Sequence, residues 1–424
     1  MMFEMEKVLF IAPRFHTNQF YATKSLIENQ VQVKFIARQS NKIENYEILK
    51  PSIIGDNAIC RIMERITGGS PGKGIPPVFR LMRELRDFGP DIVVVREDES
   101  FSWISLLVCR LLDYDAVLYT QRKMVGQRYE RRVTQLYHDH IQPMIYSLAR
   151  CEITPLSGMN TDPVGRGGEG GVVCYDYILN NDSWIPGKGG FDDPPQRCAD
   201  KPFSIRRSKL HSYRTYHVPL VIEWMGGDEK RFDEGDETRI MMVSEFQKRK
   251  RIIETLEILS VLIKEGKKVR LTIIGNAKRP HNRAHLEEVE DYVRRNGLES
   301  EVTIITDIPH QSVLEEYKKH DLFLLSSMRE PAAYSVLEAM ANGLLVISPS
   351  DNGTQEYIIN GFNGFVFNTD DLSELKGILS SLCSDKKALA TLGFNNEQVI
   401  KNLYTSDFYY RYLKHVWRDL QRTC

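Results

Sequence analysis

The sequence alternates short apolar runs with longer amphipathic patterns, and it does so in two separate series. The first series extends from Lys7–Pro13 to Glu152–Leu156, and the second from Ile240–Val243 to Leu344–Ser348. Strands that alternate with helices form parallel sheets with helices on both faces. The chain is therefore predicted to be an α/β protein with two Rossmann-like domains facing each other across a cleft, in which ligands dock beyond the carboxyl ends of the strands.

The two series also predict the domain boundaries. We expect a first domain over residues 1–220, a second over 221–400 and a C-terminal helix over 401–424. An irregular stretch at about 157–214 contains two glycine clusters, Gly165–Gly171 and Gly187–Gly190. No clear strand–turn–helix pattern surrounds these glycines, so we interpret the stretch as an insertion at the edge of the first domain. A loop that touches ligand is the alternative.

Composition and cysteine usage constrain the compartment and the partners. The formal net charge of −1 gives no indication of nucleic acid binding. The seven cysteines are scattered and none forms a Cys-x-x-Cys pair, which favours a reducing compartment and argues against a zinc site. The longest apolar stretch, Phe101–Leu112, is too short to span a bilayer. We predict a cytoplasmic protein without a transmembrane helix.

The segment from Glu330 to Gly343 indicates the chemistry. Glu330 lies in a loop after an apolar run, a helix is predicted from about Ser335, and Glu338 lies about one turn inside that helix. A strand, a sharp loop and a helix N-terminus form an anion site. Two carboxylates beside such a site are useful only if they bind hydroxyls. A nucleotide sugar offers a diphosphate together with sugar and ribose hydroxyls.

This segment resembles the signature of the retaining family 4 glycosyltransferases, in which two glutamates separated by seven residues bracket the donor. The similarity covers roughly residues 238–385 and includes Asn352–Phe367, which resembles the glycine turn, short helix and final strand of that family. The resemblance implies a GT-B fold whose second domain binds a nucleotide-sugar donor and whose first domain binds a glycan or lipid-linked acceptor. It implies a role in cell-surface polysaccharide synthesis with no cofactor and no metal.

The resemblance also assigns roles to residues. It implies that Glu330 and Lys250 are catalytic and that the donor is bound by Glu338, Arg251, Arg249, Ala333, Tyr334, Ser335, Ile308 and Gly275. The chain departs from the family at Glu245, where an arginine is usual, and at Ala332-Ala333, where an aromatic residue and a glycine are usual. Plainer alternatives are a solvated basic turn at Lys248–Arg251, core packing for Ile308 and an ordinary turn role for Gly275.

The first domain is expected to bind the acceptor through Arg14, His16, Gln121 and Arg122. Gln121 or Arg122 stands where the family often has a histidine. The basic and apolar segment 122–132 is predicted to contact an anionic membrane or a lipid-phosphate acceptor, so that the enzyme would be peripheral to the inner membrane face. A solvated helix start is the alternative reading of this segment.

Other enzyme classes lack their motifs in this sequence. There is no Asp-x-Asp pair at a convincing strand end, no phosphate-binding P-loop motif and no Gly-x-Gly-x-x-Gly after the first strand. These absences count against a metal-dependent transferase of the other common fold, an NTPase and a nicotinamide dehydrogenase. Two alternatives stay open: a sugar-nucleotide epimerase or hydrolase of the same fold, and a catalytically silent relative that binds a partner.

Overall fold

The chain divides into two compact units, which we describe from a computed structural model. The described residues are 5–15, 17–39, 48–55, 74–96, 100–121, 147–155, 205–207, 214–224, 235–330, 332–383 and 385–422. The first unit comprises Met1–Val221 and Tyr404–Cys424, and the second Ile222–Leu403. The last helix of the chain therefore belongs to the first unit.

The first unit contains an eight-stranded sheet with the strand order β3-β2-β1-β4-β5-β6-β8-β7. Its neighbouring strands pair in parallel, except that β7 is antiparallel to β8. The strands are β1 Lys7–Arg14, β2 Gln32–Gln39, β3 Ser52–Ile53, β4 Ile92–Arg96, β5 Ala116–Tyr119, β6 Cys151–Thr154, β7 Ile205–Arg207 and β8 Arg214–His217. The described α-helices of this unit are α1 Thr17–Glu28, α2 Val78–Phe88, α3 Ser100–Leu111 and, from the end of the chain, α10 Ser406–Arg422.

Apolar strands form the core of the first unit. All five residues of β4 are buried, as expected for a strand covered on both faces of a parallel sheet. Helix α2 buries Leu81 and Leu85 against that core, and it ends at Gly89, whose φ of 61° is the left-handed conformation that glycine adopts without strain. The alternation seen in the sequence thus becomes a sheet with helices packed on it.

The second unit contains a six-stranded sheet in which all neighbours are parallel, with the order β11-β10-β9-β12-β13-β14. Its strands are β9 Thr238–Val243, β10 Val269–Gly275, β11 Val302–Thr306, β12 Leu322–Leu324, β13 Leu345–Pro349 and β14 Gly364–Phe367. Its α-helices are α4 Ile252–Lys264, α5 Pro280–Arg295, α6 His310–Tyr317, α7 Tyr334–Ala341, α8 Leu372–Leu382 and α9 Lys386–Val399. Short 3₁₀ turns at Lys248–Lys250 and Gly353–Tyr357 follow β9 and β13, and a π-helical segment, Ile400–Tyr404, follows α9.

Unusual backbone conformations mark the carboxyl edge of this second sheet. Arg251, Asp307 and Arg329 have φ values of 52°, 57° and 54°, and they lie in the segments that follow β9, β11 and β12. A non-glycine residue in the left-handed region, at positive φ, costs free energy, and residues in that conformation cluster at functional sites. These strained residues therefore lie at the edge of the sheet at which the sequence predicts ligand binding.

The prediction of an α/β protein with two Rossmann-like units is confirmed. Strand β7 is an addition to that prediction, because it joins the sheet edge within the stretch interpreted as irregular. Residues 157–204 and 208–213 of that stretch lie outside the described residues. None of the helices in the described ranges combines the length and apolar character needed to cross a bilayer.

Candidate functional site

Glu330 and Lys250 meet at the carboxyl edge of the second sheet. Strands β9 and β12 are neighbours, so the segments that follow them, which carry Lys250 and Glu330, emerge side by side. The Nζ atom of Lys250 lies 2.5 Å from Oε2 of Glu330, and Nη1 of Arg249 lies 2.7 Å from the same oxygen. One carboxylate thus holds two cations that the sequence places 80 and 81 positions away.

Backbone hydrogen bonds fix the loops that carry these charges. The amide of Met328 donates to the carbonyl of Arg249 at 2.8 Å, and the hydroxyl of Ser326 donates to the carbonyl of Lys250 at 2.7 Å. The carbonyl of Glu330 accepts from the amide of Gly353 at 3.0 Å. The loops after β9, β12 and β13 are therefore tied to one another, which positions the charged cluster before any ligand arrives.

Burial and charge oppose each other in this cluster. Lys250 is 8% exposed, and that burial lowers the pKa of its ammonium, whereas the Glu330 carboxylate opposes the decrease. Burial raises the pKa of Glu330, but the charges and hydrogen bonds of Lys250 and Arg249 outweigh it and leave that pKa below its usual value. A lowered pKa of Lys250 favours its neutral amine, whereas a lowered pKa of Glu330 favours its ionised carboxylate. We assign the ionised pair, because Glu330 also accepts from Arg249, whose guanidinium stays protonated.

A chain of polar contacts extends from this cluster to Glu245. The Nε2 atom of Gln247 donates to Oε2 of Glu245 at 2.5 Å, and the Nε atom of Arg249 donates to Oε1 of Gln247 at 3.0 Å. Arg279 lies 3.8 Å from Glu245. Glu245, which departs from the family pattern, thus sits beside the cations, and Arg249 supplies the second positive charge at Glu330. The guanidinium of Arg251 instead donates to the carbonyl of Thr369.

Glu338 is buried and both of its carboxylate oxygens are bound. It is 5% exposed and lies in α7. Its Oε1 atom lies 2.7 Å from Nε2 of His310, and its Oε2 atom accepts from the hydroxyl of Tyr317 at 3.0 Å. His310 and Tyr317 were not among the site residues predicted from sequence. They lie 28 and 21 positions before Glu338 in the chain. The repeat of a single helix or strand does not relate residues that are so far apart, so the sequence contained no signal for them.

The start of helix α7 lies between the two glutamates in the chain. Ala333 is the residue before the helix, and Tyr334 and Ser335 form its first turn. Amides of a first turn lack partners within the helix, and Ala333 has no polar side chain with which to accept from them. These amides and the helix dipole favour an anion at this point. The helix begins one residue before the predicted start at Ser335.

Packing accounts for Gly275, and Ile308 lies beside a strained residue. A Cβ atom on Gly275 would lie 2.3 Å from the carbonyl oxygen of Ser244 and 2.7 Å from Cε2 of Phe246. The loop after β9 therefore requires a glycine at this position for packing, whether or not a ligand binds.

Ile308 is half-buried between Asp307, which has positive φ, and the start of α6. Its predicted contact with a nucleotide base stays a prediction.

Two of the four predicted acceptor residues lie within the described part of the first unit. Arg14 ends β1, and Gln121 follows β5 and donates to the hydroxyl of Tyr119 at 3.3 Å. His16, Arg122 and the remainder of the basic segment to residue 132 lie outside the described residues. A buried contact that the sequence did not indicate lies nearby, where Oγ1 of Thr120 donates to Oε1 of Glu152 at 2.5 Å.

The described ranges hold no preformed cluster of metal ligands. Within them, no group of three or more histidine, cysteine, aspartate or glutamate side chains is arranged to hold a metal ion. The prediction that the reaction needs no metal stays a prediction.

Comparison with known proteins finds a family match over the region that contains these residues. Residues 228–399 match the family Glycosyl transferases group 1. That region covers nearly all of the second unit and includes Lys250, Glu330 and Glu338. The capsular polysaccharide biosynthesis glycosyltransferase CapM of Staphylococcus aureus is 22% identical over 186 residues, which are 42% of this chain and 43% of CapM. The chain thus matches less than half the length of this curated relative. Both matches support glycosyl transfer.

Solved structures show the fold over the whole chain. A glycosyltransferase from Rickettsia africae aligns with a TM-score of 0.67 at 12% identity and covers 100% of both chains. HepE of Anabaena, crystallised with UDP and glucose, aligns with a TM-score of 0.63 at 11% identity over 98% of this chain and 100% of HepE. At these identities the alignments establish the fold, which is the two-unit GT-B type.

Proposed function

We propose that this protein is a retaining glycosyltransferase that moves a sugar from a nucleoside-diphosphate sugar to a glycan or lipid-linked acceptor. The observation that carries the proposal is the contact of Glu330 with both Lys250 and Arg249, together with Glu338 at the eighth position beyond, inside the region that matches Glycosyl transferases group 1. The match of that region to the family model supports sugar transfer, and the charged cluster supplies groups suited to it.

Lys250 and Arg249 are proposed to stabilise the departing diphosphate. Breaking the bond between the anomeric carbon and the diphosphate leaves growing negative charge on phosphate oxygens, and fixed cations in a dry site are effective against it. Lys250 is already held by Glu330, and the loop below it is tied to its neighbours. The amides at the start of α7 would add to this stabilisation. A metal ion is not needed in this scheme.

Glu330 is proposed to orient the transferred sugar. Its carboxylate is ionised and held by two cations, so it can accept hydrogen bonds from sugar hydroxyls without rearranging. In a retaining reaction without a protein base, the leaving phosphate accepts the proton of the attacking hydroxyl. The absence of a histidine at Gln121, where the family often has one, is compatible with that route.

Glu338 is proposed to bind the ribose hydroxyls of the donor. HepE was crystallised with UDP, which supports a nucleoside diphosphate as the ligand of this fold. Ala333, Tyr334, Ser335 and Ile308 are proposed to line the donor site, and Arg251 and Gly275 to shape the loops beside it. Lys250, Arg249 and Glu330 are proposed to lie at the diphosphate and sugar end of the donor.

The acceptor is proposed to be a glycan or a lipid-linked intermediate of a cell-surface polysaccharide. The similarity to CapM supports this choice. Arg14, His16, Gln121 and Arg122 are the proposed acceptor residues of the first unit, and the segment 122–132 is proposed to contact an anionic membrane face. We place the reaction in the cytoplasm. Cys109 and Cys383 are free and buried, which suits a reducing compartment.

A silent binding relative is the second candidate. Glu245 places a third carboxylate close to the cations that should receive the diphosphate, and this departure from the family favours reduced catalysis. Such a protein would bind nucleotide sugars without transferring them. An epimerase or hydrolase of the same fold would instead release an epimer or free sugar when no acceptor is present.

Binding of nucleotides by the Glu338→Ala variant tests the donor site. Loss of charge-assisted hydrogen bonds to ribose should weaken binding of the preferred diphosphate among UDP, GDP and ADP by about 1.5–3 kcal/mol. Calorimetry on the parent and the variant measures this, with Glu315→Ala, an exposed carboxylate paired with Lys318, as the control. Equal affinity in a folded Glu338→Ala protein would contradict the assignment, and no binding of any diphosphate to the parent would contradict the proposed function.

A further inference from the structure

The two oxygens of Glu338 face different surroundings. Oε2 points inward and accepts from Tyr317, whose side chain is fully buried at 0% exposure. Oε1 contacts His310, whose side chain is 49% exposed. A ligand that approaches from solvent therefore reaches the Oε1 side first, and it finds the imidazole of His310 there.

His310 is placed where it can move without disturbing the sheet. It is the first residue of α6 and follows Pro309, just beyond the end of β11. Tyr317 lies at the opposite end of the same helix and is anchored by its contacts with Glu338 and with the carbonyl of Ser335. A rotation of the His310 side chain alone would free Oε1, while Tyr317 would keep the carboxylate in place.

We propose that His310 is a positioning residue for Glu338, which it holds through Oε1 in the nucleotide-free protein and releases when the donor ribose binds. The inference rests on the proposed function, because it takes the ribose as the ligand of Glu338. Tyr317 is the fixed partner in this arrangement and His310 the exchangeable one. Binding of donor then exchanges an imidazole–carboxylate contact for hydroxyl–carboxylate hydrogen bonds.

This exchange links donor binding to a proton. The hydrogen bond to Glu338 raises the pKa of His310 above its ordinary value of 6.5, burial opposes the rise, and the Glu338 charge adds to it. Within the described part of the chain, Glu338 of α7 is the charged group that shifts the pKa of His310. Helix α6 itself carries three other titratable groups, Glu315, Glu316 and Tyr317. Once released, the imidazole returns toward its ordinary pKa. Donor binding therefore releases a proton when the pH lies between the raised pKa and the ordinary one.

Donor affinity should decrease as the pH falls. At pH above the raised pKa, His310 is neutral and easily displaced. As the pH falls from that pKa toward 6.5, the protonated imidazole binds Glu338 more firmly and the donor affinity falls, by at most about tenfold per pH unit for one proton. Below 6.5 the affinity levels off, because His310 is protonated in both states.

The test is the pH profile of nucleotide-sugar affinity. UDP-glucose, GDP-mannose and ADP-glucose are screened at pH 8.5, and the tightest is titrated from pH 5.5 to 8.5 by calorimetry. Nucleotide sugars are used because their diphosphate does not titrate in this range, unlike that of a free diphosphate. The parent should lose affinity toward low pH, and His310→Ala should show a flat profile and bind more tightly than the parent at pH 5.5. The control His281→Ala, an exposed histidine of α5, should keep the parent profile.

Tyr317→Phe separates the two partners of Glu338. It should weaken binding at every pH and retain the slope of the parent. A parent that binds nucleotide sugar with a flat profile, or a His310→Ala variant that keeps the slope, would overturn the inference and leave the proposed function standing. Absence of binding by all three nucleotide sugars at every pH would overturn both.

Discussion

At the scale of single residues, the site depends on which side chains share a carboxylate. Glu330 is the common partner of Lys250 and Arg249, and Glu338 is the common partner of His310 and Tyr317. In each case a buried or half-buried glutamate is kept in one orientation by two donors from other segments. The sequence identified both glutamates but only the first pair of partners.

Replacing Lys250 should impair catalysis more than binding. A cation at the leaving diphosphate gains value as negative charge develops, so Lys250→Ala should lower kcat by about 100- to 1,000-fold, similar to removal of one electrostatic donor from an active site. The measurement is the steady-state rate of sugar transfer. Lys248→Ala is the matched control, because Lys248 lies in the same 3₁₀ turn but is 81% exposed. Parent-like kcat in Lys250→Ala would remove Lys250 from the mechanism.

Replacing Glu330 by glutamine should separate turnover from affinity. The amide keeps the shape of the side chain but removes the charge that holds Lys250 and Arg249, so the sugar and the cations lose their fixed relation in the transition state. We expect Glu330→Gln to reduce kcat strongly while the dissociation constant for the nucleoside diphosphate changes little. Kinetics and calorimetry on the same preparation measure the two quantities. A variant that transfers sugar at the parent rate would show that Glu330 has another role.

At the scale of elements, the sequence predicted most strands and helices of the second unit, because each carries an uninterrupted apolar or amphipathic pattern. It also predicted the loop-to-helix junction between Glu330 and Ser335 from the change of periodicity. It did not predict the cross-loop contacts, such as Met328 with Arg249, because they join segments that are distant in the chain. The sequence also did not predict the strained conformations of Arg251, Asp307 and Arg329, because nothing in these residue types requires positive φ.

Two glycines give a direct test of packing at the sheet edge. Alanine at Gly275 would place its Cβ against the carbonyl of Ser244, whereas alanine at Gly377, within α8, meets nothing within 4 Å. Gly275→Ala should therefore destabilise the protein by about 1–3 kcal/mol through overpacking. Gly377→Ala should be neutral or stabilise it by up to about 1 kcal/mol through helix propensity. Urea denaturation measures both. Equal stability of the two variants would contradict the packing described here.

At the scale of the whole molecule, the chain returns to its first unit at the end. Helix α10 packs on that unit: the hydroxyl of Tyr216 donates to Asp419, the amide of Tyr410 donates to Oγ of Ser25 at 3.1 Å, and Gln421 contacts Asp115 at 2.8 Å. The alternation of strands and helices predicted two Rossmann-like units. It could not predict that the last helix packs on the first unit, because the amphipathic pattern of a helix does not specify which surface the helix covers.

We propose that the purified protein transfers a sugar from a nucleotide sugar with retention and without a metal. The most direct measurement follows transfer to a glycan or lipid-linked acceptor from UDP-glucose, GDP-mannose or ADP-glucose by NMR, with and without a chelator, and assigns the anomeric configuration of the product. We expect the product to keep the configuration of the donor and the rate to be unaffected by the chelator. An inverted product, free sugar alone, or loss of all activity with the chelator would contradict the account.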